Sequence, residues 1–135
     1  MKANRTTLIF SALLSLVFFG CQKEHECMEA MGIFGEWTWV ESKGGFGGWT
    51  LTPESEHLTR KLVIDDFFYK EYVNDSLVLD TEYDLGISDY VLLGTEEKTY
   101  IRFKSGGEQA IIISKSELHL IDQCFDCYHH RYKRK

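Results

Sequence analysis

Near the C-terminus, Cys124-Phe125-Asp126-Cys127 sets two thiols at the spacing used by dithiol redox sites and by half of a zinc site, with His129 and His130 just beyond. A redox pair needs a helix N-terminus to lower a thiol pKa. Here the surroundings read as strands, and Asp122 and Asp126 push a thiol pKa upward. A c-type haem would need histidine directly after the second cysteine, where Tyr128 stands. Cys124, Cys127, His129 and His130 are suitable zinc ligands by type, yet adjacent histidines on a strand point to opposite faces, so the four cannot converge. Gly44, Gly45, Gly47 and Gly48 lack the Lys-Ser or Lys-Thr of a phosphate loop and read as a mobile loop. No Ser-His-Asp or paired-carboxylate arrangement has local support. The expectation is therefore no enzyme, no metal and no cofactor.

Those residues belong to a chain of 135 with 44% hydrophobic and 14% aromatic content, too rich for disorder and long enough for one domain with a real core. Its net charge is −6, and losing Lys2 and Arg5 with a cleaved leader would take it to −8. Such a surface repels phosphate backbones. Arg131, Lys133, Arg134 and Lys135 form a short basic end without an interleaved basic face, so nucleic acid is not an expected partner.

The leader is recognisable by its parts. Lys2 and Arg5 precede an apolar run of twelve from Leu8 to Phe19, which as a helix covers about 18 Å of a roughly 30 Å hydrocarbon slab. That favours a signal segment over a permanent span. Val17-Phe18-Phe19-Gly20-Cys21 resembles the lipobox of bacterial lipoproteins, which implies cleavage before Cys21, acylation of its thiol and amine, and attachment to membrane lipid. Gln22-Lys23-Glu24-His25-Glu26 resembles the export signal of Bacteroidota surface lipoproteins, which implies the outer membrane, on its periplasmic face or at the cell surface. The expected division is residues 1–20 as signal peptide, 21–32 as lipidated cysteine and tether, and 33–135 as the folded domain. Disulfides persist on that export route, and Cys27, Cys124 and Cys127 remain once Cys21 is lipidated. One disulfide and one leftover thiol are expected. Cys27 could pair with either of the others, whereas a Cys124–Cys127 bond requires a tight turn, because residues i and i+3 of a flat strand lie about 10 Å apart.

From Gly35 onward the apolar pattern has period two, and strands are expected near 36–42, 59–65, 67–73, 77–84, 90–93, 98–104, 109–114, 117–121 and 127–133. The links at Asn74-Asp75, Ser105-Gly106-Gly107 and Ser114-Lys115-Ser116 are hairpin-sized, so neighbours in sequence pair antiparallel. Closing about eight such strands into an up-and-down barrel removes the exposed edges, giving an all-β fold. Thr52-Pro53-Glu54 alone looks like a helix start. Alternation sends Leu77, Leu79, Thr81, Tyr83 and Leu85 inward, with Leu62, Ile64, Ile101, Phe103, Ile111, Ile113, Leu118 and Leu120. Phe67-Phe68-Tyr69 is apolar on both faces and leaves its register open.

Gly35-Glu36-Trp37 matches the G-x-W opening of lipocalins. With Gly44 to Gly48, Leu51-Thr52-Pro53-Glu54, Glu71-Tyr72-Val73-Asn74 and Cys124-Phe125-Asp126 before Tyr128, residues 33 to 135 resemble the lipocalin-like domain of Bacteroidota lipoproteins. The resemblance implies that Gly35 and Trp37 close one barrel end and that an arginine of the last strand packs on the indole. Arg134 is first choice for that arginine and Arg131, on the opposite strand face, second. Trp39, Leu62, Leu79, Tyr83, Ile101, Phe103, Ile111 and Leu118 are then the expected lining for a small hydrophobic or amphipathic ligand entering beside Gly44 to Gly48. The alternative is a barrel filled by its own side chains that meets another envelope protein.

Overall fold

The computed structural model describes residues 32–90, 92–93, 96 and 98–135. The expected signal peptide, Cys21 and Cys27 lie outside them. The elements are β1 (Gly35–Gly44), β2 (Trp49–Leu51), α1 (Pro53–Glu56), β3 (Arg60–Ile64), β4 (Phe68–Val73), β5 (Ser76–Ile87), β6 (Thr99–Phe103), β7 (Glu108–Ile113), β8 (Glu117–Asp122) and β9 (Tyr128–Arg134). Pairing is antiparallel between neighbours from β3 to β9, and β1 joins both β3 and β9. Eight strands thus close into a barrel, as the alternation and short links predict. The short β2 adds to the far half of β1 beside Ser42, Lys43 and Gly44.

Local chemistry sets the connections. Asn74 and Asp75 both have positive φ, the two-residue turn whose twist matches a hairpin, and Asn74 Oδ1 also accepts a hydrogen bond from Thr59 N. Thr52 caps α1 through a reciprocal bond pair with Ser55, and Pro53 opens the helix where no N–H is needed. At Gly44 a Cβ would collide with the carbonyl of Cys127, so only glycine permits this approach of β1 to the loop before β9.

Two bulges set the faces. Trp39 opposes Tyr132 while Glu41 opposes Arg131, leaving Val40 as an extra residue on β1. The inward face shifts from Trp37 and Trp39 to Ser42. On β5 the extra residue is Val78, since Glu71 opposes Leu79 and Tyr72 opposes Leu77. Leu77, expected inside, is accordingly 51% exposed, whereas Leu79, Thr81, Tyr83 and Leu85 do face inward. Tyr69 settles the register of its aromatic run: it is buried, and Phe67 and Phe68 are exposed.

No strand forms near 90–93 among the described residues. Leu92 is instead buried on the outside of the wall against Ala110 and Ile121, with Tyr100 and Ile112 beside them. Gln123 fixes this strap by accepting from Leu93 N and donating to Leu93 O. Residues of strand-like type are held here by side chains on one face, without a backbone partner.

Candidate functional site at the polar end of the barrel

One barrel end is sealed. Trp37 is fully buried and donates from Nε1 to Ile33 O at 2.8 Å. The guanidinium carbon of Arg134 lies 4.1 Å from the Trp37 ring centroid, a cation–π contact. Arg134 also donates to the carbonyls of Phe34, Lys115 and Gly32. Arg131 faces outward and spans the closing seam, donating to Glu41 on β1 and Glu117 on β8.

The residues expected to line a ligand space all point inward, but they pack on one another. Side chains bordering a ligand-sized void keep accessible area, and Leu62, Ile101 and Leu118 keep none, with Trp39 and Ile111 nearly as closed. Leu79 and Phe103 pack on the same core, and Tyr83 reaches from it to donate to Asp65 O at 2.7 Å. The apolar part of the interior is therefore filled.

The other end is polar inside, which the sequence reading did not anticipate. Up-and-down connectivity brings the ends of β1, β4 and β8 together with the starts of β3, β7 and β9, and their inward positions are Ser42, Glu71, Asp122, Arg60, Gln109 and His130. Trp39 Nε1 donates to Ser42 Oγ at 2.8 Å, and Ser42 Oγ lies 2.7 Å from His130 Nδ1. The indole occupies one lone pair of the serine oxygen, and the hydroxyl shares its remaining hydrogen-bonding capacity with Nδ1. On its other side the ring places Nε2 3.3 Å from Asp122 Oδ2. Asp122 further accepts from Gln109 Nε2 at 2.7 Å and from Tyr128 N. Burial pushes the Asp122 carboxyl up, but the hydrogen bonds from His130 and Gln109 outweigh it and hold the group below its ordinary value.

This Ser42, His130, Asp122 chain has the members of a nucleophile, base and carboxylate relay. Ser42 is 2% exposed and its oxygen already accepts from Trp39 Nε1. Its geometry serves to orient His130 and Asp122. The constellation was invisible in the sequence because its members are 80 and 88 positions from Ser42 and the Val40 bulge puts Ser42 inside.

Around this chain stand polar groups without partners. Arg60 stacks over Trp39 at 5.2 Å and approaches Glu71 only to 3.8 Å, and its Nε is buried with no hydrogen bond. Gln109 Oε1 is buried and equally unpaired. Tyr69 and Tyr132 are 4% and 3% exposed, and neither phenol oxygen has a hydrogen-bond partner among the described residues. Burial first, and then the neighbouring Glu71 and Asp122 charges, push both phenols well above their ordinary range and keep them protonated.

The rim carries the disulfide. Cys124 and Cys127 are bonded, with Cα atoms 5.5 Å apart, and Asp126 at φ 57° supplies the tight turn this pairing requires. Gly45 N donates to Cys127 O, tying the glycine hairpin to the disulfide loop. Phe46, Trp49 and Phe125 project from these two loops into solvent. His129 points outward to His119, 2.8 Å away, and His130 inward, so the four-ligand zinc arrangement is not assembled; among the described residues no group of three or more metal-ligating side chains converges. Comparisons with protein-family models, with curated proteins and with solved structures find no match for this chain.

Proposed function

We propose that the chain is a lipocalin-like barrel that binds a small amphipathic molecule at the polar end of its interior, and that Cys21 fastens it by acylation to the outer membrane. The binding reading is carried by the unpaired groups there. A buried donor or acceptor left without a partner costs about 1–3 kcal/mol, and Arg60 Nε and Gln109 Oε1 are two such groups in one layer, beside the phenols of Tyr69 and Tyr132. A ligand head that completes their hydrogen bonds recovers that energy, while its apolar part lies against Trp39, Leu51 and Leu58, which pack on the core near the same end. The role is carriage or sensing without chemistry on the ligand.

The second reading, a filled barrel that meets an envelope protein, draws on the exposed Phe46, Trp49 and Phe125 beside the same end. Native mass spectrometry of the protein purified from its own host separates the two. A small molecule that co-purifies and is lost in an Arg60→Met, Tyr132→Phe double variant supports carriage. Retention of a protein partner by a Phe46→Ser, Phe125→Ser variant's parent, with no small molecule bound, supports the interaction reading.

A further inference from the structure

The unpaired groups also specify what the ligand head must offer. Of the two unpaired atoms, Arg60 Nε can only donate and Gln109 Oε1, a carbonyl oxygen, can only accept, while the neighbouring phenols of Tyr69 and Tyr132 can do either. Charge narrows the choice. Glu71 and Asp122 place two carboxylates beside one guanidinium, Arg60.

We infer that this layer recognises an uncharged head that donates and accepts at once, a primary amide or a hydroxyl pair, in preference to a carboxylate or an ammonium. The inference rests on the ligand-binding reading above. A carboxylate would satisfy Arg60 and the phenols, but it would set an oxygen against Gln109 Oε1 and bring a third negative charge beside Glu71 and Asp122. An ammonium would satisfy Gln109, yet it would face the guanidinium and leave its Nε–H unpaired. An amide oxygen accepts from Arg60 Nε while the amide NH2 donates to Gln109 Oε1, so both unpaired atoms find partners and the ligand brings no charge into the layer.

Octanamide, octanoate and octylamine share one tail and differ only in the head. Calorimetric titration of the intact protein at pH 7 and fixed salt should give saturable octanamide binding at least tenfold tighter than either charged probe. Tyr132→Phe should weaken octanamide threefold or more, and Gln109→Leu should do the same without weakening octanoate. Tyr132→Phe keeps the ring and so protects the test against loss of folding, which thermal melting checks. Octanoate or octylamine binding as tightly as octanamide would overturn the head-group inference and leave the ligand reading standing. No binding by any probe, with no co-purifying small molecule, would overturn both.

Discussion

Trp37 uses its single donor on the Ile33 carbonyl and offers its face to Arg134, so the indole is held from edge and face together. Trp37→Ala should cost about 3–5 kcal/mol, as for a large buried aromatic. Arg134→Ala should cost less, and a double-mutant cycle by denaturant unfolding should return a coupling of about 0.5–2 kcal/mol; additive effects would mean that the pair does not interact. His129 behaves differently. Burial, with neighbouring His119, His130 and Lys43, depresses its pKa, so folding favours the neutral ring. Its contribution is therefore complete above the unfolded value of about 6.5 and is lost as pH falls below it. Thermal midpoints of the parent should drop between pH 7 and pH 5 more steeply than those of His129→Gln, and equal slopes would remove His129 as the cause.

At the level of strands and loops, the Cys124–Cys127 bond closes a ring of four residues, for which chain entropy gives about 2 kcal/mol. Its effect reaches the neighbouring hairpin as well, because Gly45 N donates to Cys127 O. Replacing both cysteines by serine should lower stability by about that amount and speed amide exchange in residues 44–48 and 123–127, leaving β3 to β7 protected; uniform loss of protection would contradict a local role. Strand alternation made most inward faces readable from the sequence, Leu62, Ile101, Ile111 and Leu118 among them, because period two survives wherever pairing is regular. Bulges were not readable. Val40 and Val78 are ordinary strand residues, and each reverses the parity of everything on one side of it, which is why Leu77 is outside and Ser42 inside. Bulging hid only Ser42 of the polar layer; Arg60, Gln109 and Asp122 follow the parity of Leu62, Ile111 and Leu120, but as polar residues at strand ends they read as surface residues. Leu92 escaped as well, since a residue that packs on the outside of a wall follows no strand period.

At the scale of the whole molecule, the proposed lipid anchor rests on Cys21. A Cys21→Ser variant should leave the membrane fraction for the soluble one, whereas unchanged partition with an unmodified N-terminal mass in the parent would refute the lipid anchor. The barrel's seam has a consequence of its own. It runs between β1 and β9, from Trp37 opposite Arg134 to Gly44 opposite Tyr128, so the first strand made waits for the last. A ribosome or an export channel that has delivered residues 33 to 125 has delivered every inward aliphatic side chain and still no closed wall. Until Tyr128 to Arg134 arrive, one whole edge of β1 offers its backbone to any passing strand, and Trp37 lacks its cover.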